Sequence, residues 1–187
     1  MVRSPVKVMT LEDFLLLPET KPASEFINGQ IIQKPMPQGH HSIIQRQLVL
    51  SIESKLKPQK IASAYPELRC SFGGRAIVPD VVIVTNERIP RDENGYTANV
   101  FAIAPDWTIE ILSPDQSHTK VAKNILHCIQ HGTQMGWLID PEEQSVFIYL
   151  PDRATQLFDE APNLLPVPEF AEDFQLTLGE LFDWLRE

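Results

Sequence analysis

Two carboxylates stand where carboxylates are costly. Asp80 lies in the run Ile77-Val78-Pro79-Asp80-Val81-Val82-Ile83-Val84, and Glu110 in Trp107-Thr108-Ile109-Glu110-Ile111-Leu112. Both runs are rich in β-branched residues, which suits buried strands. An ionised carboxylate inside such a strand needs a positive partner. For two acids from distant segments the simplest partner is a hard divalent cation. Magnesium is typically held by one or two carboxylates together with water and phosphate oxygens. The chemistry this predicts is metal-assisted hydrolysis of a phosphodiester, with Mg²⁺ as the ion and Mn²⁺ as its substitute.

Other readings of the pair stay open. Asp80 follows a proline, so it also fits a turn aspartate capping a backbone amide. Glu110 is flanked by Ile109 and Ile111, which alternate onto the opposite face and leave Thr108 and Leu112 on its own; a structural salt bridge is the alternative there. The two acids would also suit a glycosidase, but no aromatic platform flanks them, and that reading ranks last.

Further polar candidates surround the pair in sequence. Lys120 and Lys123 open the helical stretch after the Glu110 strand, where a lysine orients water or offsets phosphate charge; a solvated helix face is the alternative. Lys120 and Asn124 share one helix face, and Lys123 is turned about a quarter of the circle from it. Glu25 precedes an Asn28-Gly29 turn and is either a remote metal or water ligand or an edge charge, the edge reading being slightly favoured. His41, next to His40, opens a helix, whose free amides favour anions, although two surface histidines would look the same. His127 and His131 have an i, i+4 spacing that suits zinc, but no third ligand or Glu-x-x pattern accompanies them.

These residues require a scaffold, and its elements are legible. Thr10 is a predicted N-cap for a helix over Leu11–Leu17, which Pro18 ends. Residues 24–27 and 30–33 form a predicted hairpin about Asn28-Gly29. Ile44, Leu48, Ile52 and Leu56 mark a helix from His41 to Pro58. Strands are expected near 61–64, 68–72, 77–84 and 107–112. Residues 85–104 read as a polar insert of the kind that forms a flexible loop beside a site. Ser113–Ser117 is a loop, and a helix follows from about Ser117 to His131, with Gly132 as its stop. A hairpin of 135–140 and 145–150 comes next, then short strands near 155–158 and 174–176. A terminal amphipathic helix over 178–185 caps the core or joins a second subunit. The mixed order argues for an α/β domain with a mixed central sheet. It is one domain, 1–187, with a loose start over 1–9 and a C-terminal extension over 151–187.

Composition limits what this scaffold can serve. Its 187 residues, 43% hydrophobic and 22% charged, are ordinary for one globular domain. The formal net charge of −9 counts against a tight, non-specific nucleic-acid binder and predicts weak, salt-sensitive binding to DNA assisted by the metal. Met1–Thr10 lacks the apolar stretch of a secretory signal, and no apolar run spans a membrane. Cys70 and Cys128 have no metal-site spacing and read as buried thiols of a reduced, cytoplasmic protein. Trp107, Trp137 and Trp184 are expected core or interface anchors.

Taken in order, the motifs resemble a known family. Glu25-Phe26-Ile27-Asn28-Gly29, the His41 helix, Pro79-Asp80, Glu110-Ile111-Leu112-Ser113-Pro114, a lysine-bearing helix, and Gly136-Trp137-Leu138-Ile139-Asp140-Pro141 together resemble the Uma-type restriction endonucleases of the PD-(D/E)XK nuclease superfamily. The resemblance covers about Leu11 to Tyr149. It implies a restriction-endonuclease-like core, Mg²⁺ on Asp80 and Glu110, hydrolysis of DNA, contacts from His41 and Ser113 to nucleic acid, and a homodimer. The superfamily pattern puts a lysine two residues after the glutamate, where Leu112 stands. The family moves it onto the next helix, where Asn124 stands. Lys120, one turn earlier on that face, is the first choice for the relocated lysine, and Lys123 the second. The departure also admits a nuclease fold kept as a binding or regulatory module.

Overall fold

The computed structural model describes residues 9–114 and 116–186; of the loose start expected over 1–9, residues 1–8 lie outside them. Among the described residues ten strands and four α-helices follow one another in the mixed order expected from the sequence, and the strands form two sheets rather than one.

The larger sheet has six strands in the order β10-β9-β8-β7-β6-β3. These are β3 (Ala62–Pro66), β6 (Val81–Thr85), β7 (Trp107–Ile111), β8 (Met135–Asp140), β9 (Ser145–Tyr149) and β10 (Gln156–Phe158). Only β7 and β8 pair in parallel, with Glu110 opposite Leu138. A parallel pair needs a crossover, and α3 (His118–Gln130) supplies it. The other pairs are antiparallel.

Period-two alternation sorts the side chains between the two faces. Trp107, Ile109, Ile111, Val81 and Ile83 pack with Ile44, Leu48, Ile52 and Leu56 of α2 (Gly39–Leu56). Each of those four α2 residues is fully buried and contributes roughly 1.5–3 kcal/mol of transfer energy. On the opposite face Val121 and Ile125 of α3 pack with Leu138, Tyr149 and the partly buried Leu112. Gly136 lets α3 approach there, because a Cβ at that position would run into Ile125. The C-terminal segment closes the α2 side with Leu165, Phe174, Leu176, Leu181 and Phe182.

The second sheet has the order β2-β1-β5-β4 and is wholly antiparallel. It comprises β1 (Ser24–Ile27), β2 (Gln30–Gln33), β4 (Cys70–Phe72) and β5 (Arg75–Ile77). Asn28 and Gly29 both have positive φ, 52° and 79°, as the tight hairpin turn demands. α1 (Leu11–Leu15) begins with a capping box between Thr10 and Asp13.

Three expectations need correction. The apolar run 77–84 is not one strand. Ile77 ends β5 in the small sheet and Val81 begins β6 in the large one. Pro79 has no amide to donate to a ladder, so the chain leaves one sheet and enters the other across Val78-Pro79-Asp80. The insert 85–104 has no helix or named strand, but it is anchored rather than free and lines none of the cavities at the site. Ile89, Phe101 and Ala104 are buried, Arg91 bridges Thr97, and Arg88 pairs with buried Asp106, which also accepts from Thr85 N at 2.8 Å. Residues 174–176 are not a strand. They follow a 3₁₀ turn at Glu169–Ala171, and the single bridge in that region joins Leu164 to Thr177.

Candidate active site

The switch between sheets sets the site. Because β5 ends and β6 begins within three residues, Val78 and Asp80 sit at the seam of the two sheets, next to the end of β7 that carries Glu110. Asp80 and Glu110 are 2% and 3% exposed. Period-two alternation turns Glu110 to the α3 side, away from Ile109 and Ile111.

The two carboxylates converge on one cation. It is the ammonium of Lys34, the residue after β2. Lys34 Nζ donates to Asp80 Oδ1 at 2.7 Å, to the carbonyl of Val78 at 2.7 Å and to Glu110 Oε2 at 3.3 Å. Its three protons are thereby used on three oxygens. The second oxygen of Asp80 accepts the amide of Ile111 at 2.7 Å and His41 Nε2 at 3.1 Å. Gln45 Nε2 donates to the Asp80 carbonyl at 2.8 Å, fixing the backbone of the same residue.

Glu25 is the third acid. It is not an edge charge: β1 lies inside its sheet, and Glu25 is 4% exposed. Its Oε1 accepts the amide of Val78 at 2.9 Å and its Oε2 accepts Asn124 Nδ2 at 3.2 Å. Glu25 therefore ties the small sheet to the Val78-Asp80 seam and to α3. Asn124 is spent on this carboxylate.

Three acids and one lysine share this buried space, and burial and their mutual charges shift each of them. Burial raises the Glu110 carboxyl well above its ordinary value, with Lys34 opposing and Asp80 and Glu25 adding to the rise. Burial likewise raises Glu25, against Lys34 and the Val78 amide. Burial also works to raise Asp80, but Lys34 and His41 outweigh it and carry that carboxyl below the usual range. Burial works against the Lys34 charge, and Glu110, Asp80 and Glu25 overcome it, so the ammonium is held more firmly than a free lysine. The directions diverge: Asp80 is shifted toward its ionised form, and Glu110 and Glu25 toward their protonated forms.

The remaining candidates lie around this centre. A cavity of about 540 Å³ is lined by Glu110, Glu25 and Lys34, and also by Arg75, Lys120 and Lys123. Lys120 and Lys123 are exposed on its wall; neither forms an ion pair with Asp80 or Glu110 among the described residues. Ser113 is buried and shares a second cavity, about 790 Å³, with His40 and His41. His41 is buried and its Nδ1 has no hydrogen-bond partner, whereas His40 is exposed. His127 and His131 are not brought to the site. His127 stacks on Phe72, and His131 Nδ1 donates to the His127 carbonyl at 2.8 Å. Gly73, at φ 56°, makes room for both rings. Cys70 and Cys128 are buried free thiols, and burial pushes Cys70 up to about 12.

The residues present suit a hard cation. Lys34 Nζ marks a point ringed by two carboxylates and a carbonyl, the oxygen donors that magnesium takes. Among the described residues no group of three or more His, Cys, Asp or Glu side chains is arranged as a metal cage, so such an ion would depend on these two carboxylates, the Val78 carbonyl and water.

A mixed sheet between helices, with an acid at the entrance of one strand and another at the end of its neighbour, defines the restriction-endonuclease-like class. Residues 11–179 match the family Uma2, described as "Putative restriction endonuclease". The chain belongs to that family. It is also similar to a crystal structure from Anabaena variabilis ATCC 29413, described as "a putative nuclease belonging to DUF820". The two chains are 63% identical and superpose with a TM-score of 0.93, covering 95% of this chain and 99% of the other. No curated protein matches. Among the described residues no helix is long and apolar enough to cross a membrane.

Proposed function

We propose that this protein is a Mg²⁺-dependent endonuclease that hydrolyses phosphodiester bonds of DNA, with Asp80 and Glu110 as the metal ligands of a PD-(D/E)XK-type site. The observation that carries the reading is the convergence of Asp80 Oδ1, Glu110 Oε2 and the Val78 carbonyl on a single cationic point. Bound there, magnesium would lower the pKa of a water and offset charge on the phosphate; Mn²⁺ would substitute.

The chain's own residues do the rest. The Ile111 amide and His41 fix the Asp80 carboxylate in place. Glu25 holds the Val78 amide, and so orients the peptide whose carbonyl faces the site. Lys120, Lys123 and Arg75 on the cavity wall supply positive charge to a phosphate backbone, and His41 and Ser113 line the neighbouring cavity. In the hydrolysis a water oxygen bonds to phosphorus, its proton passes to solvent, and the sugar oxygen leaves and is protonated. With a net charge of −9, binding to DNA is weak and falls steeply with salt. A homodimer would bring two such sites to two strands.

A second reading is favoured by the same lysine. If Lys34 never leaves the carboxylates, the fold serves as a binding or regulatory module. Incubation with supercoiled plasmid separates the two. Nicking is expected in millimolar Mg²⁺. It should stop on chelation with EDTA and return when Mn²⁺ is added. Undamaged plasmid, single-stranded DNA and RNA under every metal condition would leave the module.

A further inference from the structure

We infer that Lys34 and a divalent cation bind the carboxylate pair in exclusion of one another, and that metal binding turns the Lys34 ammonium out into the 540 Å³ cavity, where it becomes the phosphate-contacting lysine of the site. The inference rests on the metal reading of Asp80 and Glu110 given above.

The exclusion follows from shared oxygens. Lys34 Nζ uses Asp80 Oδ1, Glu110 Oε2 and the Val78 carbonyl. A magnesium ion on those oxygens, at its usual distance of about 2.1 Å, overlaps the volume the ammonium fills. Two cations cannot share it.

The exit is open to Lys34 and closed to its partners. Its side chain is 13% exposed, against 3% and 4% for those of Asp80 and Glu110. It lines the cavity directly. Its backbone stands just past β2, whose four residues are all exposed, and 35–38 is exposed and without regular structure. Swinging the four-carbon stem outward therefore displaces no core side chain. The carboxylates, in contrast, are held by the Ile111 amide, His41 and Glu25's grip on Val78.

The destination suits an anion. The cavity carries Arg75, Lys120 and Lys123, and the acids among its described lining residues are Glu25 and Glu110. With Leu112 two residues after Glu110 and Asn124 bound to Glu25, Lys34 is the lysine that reaches both carboxylates, and the one whose departure is coupled to loading of the site. A hairpin residue thereby does what the family pattern asks of strand or helix.

The test compares Mn²⁺ binding to the full chain and to Lys34→Met by calorimetry, with Asp80→Asn alongside. Lys34→Met should bind Mn²⁺ about tenfold or more tightly than the wild type, while single-turnover cleavage at saturating Mn²⁺ falls about a hundredfold. Equal Mn²⁺ affinity in the wild type and Lys34→Met, with binding lost in Asp80→Asn, would overturn the exclusion and leave the metal site standing. Unchanged cleavage by Lys34→Met would overturn the phosphate role. No Mn²⁺ binding by any of the proteins would remove the metal reading itself. Should Lys34→Met fail to fold, Mg²⁺ titration of wild-type protein labelled with ¹³C at lysine Cε gives the same answer. The resonance assigned through Lys34→Arg must move as the ion binds; saturation without movement contradicts the inference.

Discussion

Asp80→Asn is expected to lower divalent-dependent cleavage by at least about 10³-fold, or roughly 4 kcal/mol of transition-state stabilisation. The substitution keeps the shape of the side chain and removes its charge. The amide oxygen can still accept the Ile111 amide, which Asp80 Oδ2 accepts at 2.7 Å. The amide nitrogen then faces Lys34, and a donor meets a donor where a 2.7 Å ion pair stood. Lys34 keeps the Val78 carbonyl and Glu110, so the fold should survive at a cost of about 1–3 kcal/mol. Single-turnover cleavage and a thermal melt, measured on the same preparation, separate chemistry from folding. A folded Asp80→Asn protein that cleaves at the wild-type rate would contradict the assignment of this carboxylate.

The second large effect is on the frame. Trp137→Ala should cost about 3–5 kcal/mol, a large part of the 5–15 kcal/mol that holds a typical domain. Trp137 is fully buried on β8, opposite Ile109 of the strand that carries Glu110. Its ring meets Trp107 edge-on at 4.9 Å between centroids, and its Nε1 donates to the Pro166 carbonyl at 3.0 Å. The residue thus joins the site strand, the sheet centre and the C-terminal segment. Trp137→Phe keeps much of the volume and gives up the hydrogen bond, and should cost markedly less. Urea unfolding of the two variants gives both numbers. A Trp137→Ala protein within about 1 kcal/mol of wild type would mean that the C-terminal segment is not anchored through this ring.

What the sequence made visible follows from local physics. Asp80 and Glu110 stood out because acids interrupt apolar, β-branched runs, and such interruptions have few inexpensive explanations. The α2 stripe from Ile44 to Leu56, the Asn28-Gly29 hairpin and the α3 crossover were legible because each rests on a short-range pattern. The split at Pro79 was marked by the proline itself, but eight nearly continuous apolar residues concealed it. The insert 85–104 looked free because its polar composition hid two anchors, Ile89 and Phe101, twelve positions apart in the chain. Its ion pair with Asp106 is a tertiary contact that no local pattern reveals.

Lys34 is the instructive omission. It stands between an exposed strand and Pro35, the sequence setting of a solvated surface lysine. Nothing periodic shows that its stem bends across the seam to meet acids 46 and 76 residues away. The one available signal was arithmetic. Buried acids demand positive charge, and the candidates on α3 lie on the outer wall of the cavity. Glu25 was misjudged as an edge charge for a related reason: the turn after it suggests a two-stranded ribbon, whereas β5 pairs with β1 on its other side and buries it.

The central claim is that Asp80 and Glu110 hold one divalent ion at the point where Lys34 now sits. Anomalous scattering from a crystal equilibrated with Mn²⁺ tests it most directly. The account predicts one strong peak within coordination distance of Asp80 Oδ1 and a Glu110 carboxylate oxygen, with the Lys34 side chain displaced toward the cavity. Saturating Mn²⁺ with no peak there, and Lys34 still bonded to both carboxylates, would contradict it.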